Sequence, residues 1–141
     1  MIEKYIKPKK EDNILDLGCG TGRLIDLLPE GIQYTGIDIS TNYIEDAKRR
    51  YGNKYNFICS NIMDVDFSNF GIIDIVIASG FFHHLDDESI DRLLININSC
   101  MDDKTRLISV DPCIVDEQNW ISKLLVKNDR GKYVRSKECY V

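Results

Sequence analysis

The chain of 141 residues lacks any apolar run near the roughly 20 residues that span a bilayer. Residues 1–5 also lack the apolar centre of a signal peptide, so we expect a cytoplasmic protein without a membrane partner. Positive charge is scarce as well, since 18 Lys and Arg face 23 Asp and Glu, for a net charge of -5. Because nucleic-acid binding depends on many Lys and Arg contacts to phosphate, this balance argues against a nucleic-acid partner.

Cysteine motifs and hydrolase motifs are missing too. The five cysteines are scattered, with no C-x-x-C pair, so neither a disulfide framework nor a metal site is indicated. They are Cys19, Cys59, Cys100, Cys113 and Cys139. No G-x-S-x-G pentapeptide provides a nucleophile elbow. With no repeat and 43% hydrophobic residues, residues 1–141 are expected to form a single domain.

Glycine, in contrast, is concentrated where an apolar run ends. Gly18, Gly20 and Gly22 stand at alternate positions directly after Leu17. Glycine has no Cβ, so it permits unusual backbone angles and close approach of a ligand to the main chain. Residues 23–28 predict a short helix whose unpaired N–H groups and positive dipole end face the same place. The strand, the glycine turn and the helix together predict one of the two halves of a nucleotide-binding site.

A second short strand, residues 34–38, ends in the carboxylate of Asp38. Asp38 follows Gly18 by 20 positions, and an acid at this separation is suited to accept hydrogen bonds from both ribose hydroxyls. The alternative is a helix cap or a solvated aspartate at a strand end. A dinucleotide enzyme would carry its third glycine where this chain has Arg23, which disfavours NAD as the cofactor.

The run from Asp16 to Gly22 resembles the first motif, D-x-G-x-G-x-G, of the class I S-adenosylmethionine-dependent methyltransferases. The resemblance extends from about Asn13 through Asp111, and it is most specific in the glycine turn and at Asp38. It implies S-adenosyl-L-methionine as the cofactor. The residues that it implies for cofactor binding are Asp16, Gly18, Cys19, Gly20, Asp38, Ile39, Asn61, Ile62, Ser79 and Gly80.

Asn61 departs from the family pattern, which has an acidic residue in contact with the adenine amino group and a backbone N–H after it, here that of Ile62. An amide keeps a carbonyl acceptor but loses the charge, so we expect somewhat weaker cofactor binding rather than a lost site. Alternatively, Asn61 closes a turn through its own backbone, and Asp64 is the competing acidic candidate.

The two histidines of the chain, His83 and His84, follow Ser79 and Gly80. By the resemblance, this segment passes beneath the methionine part of the cofactor and opens toward the substrate. Either histidine is a candidate base for the methyl acceptor, His84 before His83, with Asp86 as the orienting partner. The alternative is a core or cap role. Adjacent histidines lack the i, i+4 spacing of metal ligands on one helix face.

Strand and helix patterns alternate along the chain. Strands are predicted at residues 14–17, 34–38, 55–59, 73–79 and 106–111, and helices at residues 44–51 and 87–101. Ser40 or Thr41 and Asp86 or Asp87 are the candidate caps. The alternation predicts an α/β fold with a doubly wound, mostly parallel, Rossmann-like sheet. For this sheet the family resemblance implies the strand order 3-2-1-4-5. Its strand ends at Gly18, Asp38, Asn61 and Ser79 would meet in one crevice.

Complete family members usually add two strands after the fifth, whereas this chain ends at residue 141. We therefore expect a domain truncated at its C-terminus, whose fifth strand is an exposed edge and a candidate homodimer contact. Residues 117–127 predict a helix. Residues 128–135 predict a basic turn in which Arg130 and Arg135 either bind an acidic substrate or are solvated.

These features predict a methyltransferase that acts on a small-molecule acceptor by in-line displacement. A sulfonium already carries its leaving group, so orientation of the reactants alone can contribute roughly 7 to 11 kcal/mol. The alternatives are a non-catalytic S-adenosylmethionine-binding domain or fragment and, less favoured, an NAD-dependent oxidoreductase.

Overall fold

Five parallel strands form the sheet at the centre of the fold. The structure, a computed structural model, describes residues 5–115 and 131–136. The strands are β1 (Asn13–Leu17), β2 (Gln33–Asp38), β3 (Asn56–Cys59), β4 (Ile75–Ser79) and β5 (Arg106–Val110). They lie in the order β3-β2-β1-β4-β5, all pairs parallel, which confirms the predicted fold class and strand order.

Two α-helices connect the strands, α1 (Thr41–Tyr51) after β2 and α2 (Asp87–Ile97) after β4. Ser40 caps α1, its Oγ accepting from the Tyr43 N–H at 3.4 Å, and Asp86 caps α2 through the Ser89 N–H at 2.8 Å. Both caps were among the predicted candidates. They satisfy N–H groups that have no partner within the helix.

Several predicted bounds need correction. The short helix predicted at residues 23–28 is a 3₁₀ helix, Arg23–Leu27, and ends one residue earlier than predicted. Helix α2 ends at Ile97, four residues earlier than predicted, and continues as the 3₁₀ turn Asn98–Cys100. The Cys100 carbonyl then accepts from the Ile73 N–H at 2.9 Å, so Ile73 precedes β4 instead of belonging to it.

The two faces of the sheet bury two separate apolar clusters, because successive side chains of a strand point to opposite faces. On one face Leu15 and Leu17 of β1 pack with Leu93 and Ile97 of α2. On the other face Ile14 packs with a set that includes Ile44 of α1. Helices on both faces are the expected arrangement of a doubly wound sheet.

Within the described residues, β3 and β5 are the edges of the sheet. Leu107 and Val110 of β5 are 38% and 41% exposed. The predicted homodimer contact along this edge stays a prediction. None of the helices in residues 5–115 and 131–136 combines the length and the apolar character needed to cross a bilayer.

The predicted helix at residues 117–127, together with Arg130 and Cys139, lies outside the described residues. Arg135 is described, and its side chain is only 13% exposed, so the expectation of a solvated arginine was wrong for this residue. Its guanidinium donates to Asp87 Oδ1 at 2.6 and 2.9 Å and to the Leu85 carbonyl at 2.9 Å. Arg135 therefore fastens residues 131–136 to the start of α2.

We expect Leu93→Ala to lower the free energy of unfolding by about 2 to 5 kcal/mol, because it removes a fully buried side chain between α2 and the sheet. Urea unfolding followed by circular dichroism measures the change. Ile95→Ala is the matched control on the same helix, since Ile95 is 76% exposed and should change stability by about 0.5 kcal/mol or less. Equal losses in the two variants would contradict the assignment of the buried face of α2.

Candidate cofactor-binding site

A cleft of about 290 Å³ opens where β1 and β4 end. The residues that line it are Asp16, Gly18, Cys19, Thr21, Arg23, Leu24, Leu27 and Ser79. In open parallel sheets, ligands bind beyond the carboxyl ends of the strands, at the point where the strand order reverses. That point lies between β1 and β4 here, so the cleft occupies the expected place.

The glycine turn forms the floor of the cleft. Gly18, Gly20 and Gly22 have φ angles of +73°, +54° and +72°, which lie in the left-handed region that favours glycine. A Cβ added at Gly20 would meet nothing within 4 Å. A Cβ at Gly18 would lie 2.5 Å from Cδ2 of Phe81, and a Cβ at Gly22 would lie 3.0 Å from a ring carbon of Phe57. Gly20 thus leaves open space above the backbone, while Gly18 and Gly22 allow aromatic rings to pack.

Asp38 joins the turn to the end of β2. Its Oδ2 accepts from the Gly20 N–H at 2.9 Å, and its Oδ1 accepts from the Ser40 N–H at 2.8 Å. Each carboxylate oxygen has a further lone pair for a ligand hydroxyl. The structure thus brings Asp38 next to Gly20, and the following residue, Ile39, presents an apolar side chain that is 72% exposed.

Asp16 is a buried acid, 3% exposed, that nevertheless lines the cleft. Its Oδ2 accepts from the Tyr34 hydroxyl at 2.6 Å. Burial raises the pKa of Asp16 to about 7, the Tyr34 hydrogen bond opposes this rise, and the charge of Asp38 adds to it. Burial, followed by the charges of Asp16 and Asp38, also raises the pKa of the Cys19 thiol, so Cys19 is a neutral lining residue rather than a reactive thiolate.

Sequence reasoning missed the contribution of Tyr34 and Gly36. In the β1–β2 register Asp16 pairs with Gly36, and Tyr34 lies two residues earlier on the same face. A Cβ on Gly36 would lie 2.7 Å from the Cys19 Sγ, so this glycine makes room for the turn. The signal was available in principle, because β2 places residues 34, 36 and 38 on one face by its period of two.

At the end of β3, Asn61 accepts from the Met63 N–H at 3.1 Å and so caps the 3₁₀ turn Ile62–Asp64. This geometry agrees with the alternative in which Asn61 closes a turn. One lone pair of its carbonyl oxygen is not used by that bond, so the predicted contact to adenine stays a prediction. The Ser60 N–H donates to the Asp38 carbonyl at 3.0 Å, which holds this end of β3 beside the end of β2.

Ser79 and Gly80 follow β4, and Ser79 lines the cleft. Gly80 has a φ of +64°, and its N–H donates to the Val110 carbonyl at 2.7 Å, which ties the segment to β5. Their predicted role, offering carbonyls to the ammonium group of the cofactor, stays a prediction.

The two histidines have different surroundings, and neither lines the cleft. His83 is buried, with Nδ1 2.8 Å from Oδ1 of Asp111, while His84 is exposed and its ring lies 4.1 Å from that of His83 between centroids. Asp86 caps α2 through its Oδ1. Sequence reasoning missed Asp111 as the partner of His83, and the catalytic roles of both histidines stay predictions.

The family model described as a methyltransferase domain matches residues 14–104 of the chain. The chain is 27% identical over 124 residues to an uncharacterized methyltransferase of Bacillus cytotoxicus, a match that covers 87% of this chain and 58% of that protein. It is 32% identical over 109 residues to the O-methyltransferase resE of Aspergillus sclerotiorum, covering 72% of this chain and 40% of that protein. The chain thus spans about half the length of these curated relatives.

Among solved structures, the chain is similar to the plantazolicin methyltransferase BpumL in complex with a desmethyl analogue and S-adenosylhomocysteine. The TM-score is 0.72 at 23% identity, over 99% of this chain and 55% of that one. This likeness shows the fold. The matched model covers well over half of the 141 residues and includes the glycine turn and Asp38. The chain therefore belongs to the class I S-adenosylmethionine-dependent methyltransferase family.

Proposed function

We propose that this chain binds S-adenosyl-L-methionine in the cleft above the glycine turn and transfers its methyl group to a small-molecule acceptor. The observation that carries the proposal is the pairing of Gly20 with Asp38. Gly20 has open space where a Cβ would lie, and its N–H is fixed by the Asp38 carboxylate at 2.9 Å. Family membership and the S-adenosylhomocysteine bound to BpumL support the choice of cofactor.

The residues present fit this cofactor in charge and polarity. Asp38 would hold the ribose hydroxyls with its remaining acceptor capacity. Asp16 supplies a buried carboxyl that lines the cleft and suits a cationic ammonium group. Exposed apolar side chains, those of Ile39 at 72% and Leu27 at 66%, offer surface to a flat ring or an alkyl chain. Asn61 and the backbone N–H of Ile62 are the proposed adenine contacts.

When bound, the cofactor supplies a methyl group activated by a sulfonium, whose bond to sulfur breaks as the bond to the acceptor forms. The chain has to align the reacting atoms and exclude competing water, so orientation is its main contribution. His84, which is exposed, is the proposed base for the acceptor proton, ahead of the buried His83. The acidic net charge of -5 supports a small molecule rather than a polyanion as the acceptor.

Calorimetry with S-adenosylhomocysteine and with NAD tests the cofactor first. We expect binding of the thioether and no response to NAD, and the opposite result would reject the proposal. Mass spectrometry of reactions with S-adenosylmethionine and a panel of small hydroxyl, amine and carbon acceptors then tests transfer. Tight binding with no methylated product from the panel would favour the alternative of a non-catalytic binding domain.

Gly20→Ala should weaken S-adenosylhomocysteine binding by at least about tenfold, or about 1.4 kcal/mol, because its Cβ would enter the open space over the turn. Gly71→Ala is the matched control, since Gly71 has a φ of +68° and also no neighbour within 4 Å of an added Cβ. Both variants should lose about 1 to 3 kcal/mol of stability, because a residue with a Cβ is strained at these positive φ angles. Calorimetry and thermal unfolding separate the two effects, and equal affinities of the two variants would remove Gly20 from the site.

Asp38→Ala should also weaken S-adenosylhomocysteine binding by at least about tenfold, because it removes the ribose acceptor and releases the Gly20 N–H. Asp46→Ala removes the same charge from α1, where Asp46 forms an exposed ion pair with Arg49 at 3.0 Å. Calorimetry on both variants checks the expectation. An unchanged affinity in Asp38→Ala would exclude this carboxylate from ribose binding.

A further inference from the structure

Asp16 and Tyr34 form a hydrogen-bonded pair beneath the cleft. The Tyr34 hydroxyl donates to Oδ2 of Asp16 at 2.6 Å, a short distance typical of a bond to a carboxylate. Both side chains are almost fully buried, Asp16 at 3% and Tyr34 at 4% exposure. In the part of the chain that the structure describes, this is the one side-chain donor to Asp16. Its other oxygen, Oδ1, remains for a group in the cleft that Asp16 lines.

Among residues 5–115 and 131–136, the groups around Asp16 include no cation that compensates its charge. On β2 the neighbours are Tyr34 and, at the strand end, the carboxylate of Asp38. In the glycine turn the neighbour is the neutral thiol of Cys19. On β4 the register partner is the apolar Ile77.

Arg23 lines the same cleft, but its guanidinium lies 3.6 Å from Asp26 in an exposed ion pair. A hydroxyl donor is therefore the only local stabilisation of a negative Asp16 among these groups.

We propose that Tyr34 is a positioning residue that holds Asp16 as a negatively charged acceptor for the cationic amino-acid end of the cofactor. The inference rests on the proposed function, since it assumes that the cleft receives S-adenosylmethionine or its thioether product. Donation to Oδ2 fixes the orientation of the carboxylate, leaves Oδ1 toward the cleft and stabilises the charged form. Cofactor affinity then depends on the ionisation of Asp16 within the physiological pH range.

The direction of the pH dependence follows from the pKa of Asp16, which burial raises to about 7. Above this pH the carboxyl is charged and attracts an ammonium group, and below it the carboxyl becomes neutral and the attraction is lost. The Tyr34 hydrogen bond lowers the pKa of Asp16, so Tyr34→Phe should raise that pKa. An upward shift of about one unit leaves about a tenth of the carboxyl ionised at neutral pH instead of half.

The experiment is calorimetry between about pH 6 and about pH 8.5 with two nucleosides. S-Adenosylhomocysteine carries the ammonium group, and 5′-methylthioadenosine lacks the amino-acid part. For the wild type we expect the affinity for S-adenosylhomocysteine to fall below about pH 7 and the affinity for methylthioadenosine to stay level. Tyr34→Phe should bind S-adenosylhomocysteine about fivefold more weakly at pH 7, approach the wild type at the alkaline end, and bind methylthioadenosine unchanged.

Two variants serve as controls. Asp16→Asn cannot ionise, so its affinity for S-adenosylhomocysteine should be low and level across the same pH range. Tyr55→Phe removes a hydroxyl from the ring next to Tyr34, 5.9 Å away between centroids, and should behave as the wild type. A purely structural role of Tyr34 would weaken both nucleosides equally at every pH.

The outcomes separate this inference from the proposed function. If both nucleosides bind but the wild type and Tyr34→Phe share one pH profile, the positioning role of Tyr34 is overturned and the cofactor assignment stands. If neither nucleoside binds at any pH, the proposed function fails, and the inference fails with it.

Discussion

Each carboxylate oxygen of Asp38 accepts a hydrogen bond from the backbone N–H of a different segment. These two hydrogen bonds fix the geometry of the candidate site. One oxygen holds Gly20 of the turn and the other holds Ser40, the cap of α1. The turn is further fixed because the Gly18 and Cys19 N–H groups both donate to the Ile37 carbonyl, at 2.8 and 3.0 Å. These hydrogen bonds fix the backbone of the turn at several points, so the fold itself sets the open space over Gly20.

Two acids, Asp16 in β1 and Asp38 at the end of β2, are stabilised in different ways. Asp38 accepts from two backbone N–H groups, whereas Asp16 is desolvated and accepts from a single side-chain hydroxyl. Burial of a carboxyl without a cation raises its pKa, and a cationic ligand is then attracted more strongly because little water screens it. In the proposed function, Asp38 would accept the neutral ribose hydroxyls and Asp16 the positive ammonium group.

Local patterns predicted the parts of the fold that short stretches of chain decide. The alternation of strands and helices, the caps Ser40 and Asp86 and the positions of Gly18 and Asp38 followed from apolar runs, turn residues and spacing. The strand order followed from the family resemblance. Helix ends were less predictable. Met101 continues the helical spacing of apolar residues from Ile97, yet residues 98–100 form a 3₁₀ turn whose last carbonyl accepts from the Ile73 N–H. For Asn61 the sequence allowed two roles, an adenine contact or a turn, and the structure shows its side chain closing a local turn.

The sequence by itself determined the parallel sheet, its two faces and the glycine turn with its neighbouring acid, because these depend on periodicity and on the steric freedom of single residues. Only the tertiary structure decided which side chains meet across long separations. Asp111 pairs with His83, Asp87 pairs with Arg135, and the Tyr34 hydroxyl reaches Asp16. Such pairs form because the packed sheet and loops bring distant polar groups together and bury at least one member of each pair. The buried member must then find a partner among its neighbours in space, which residue spacing along the chain does not specify.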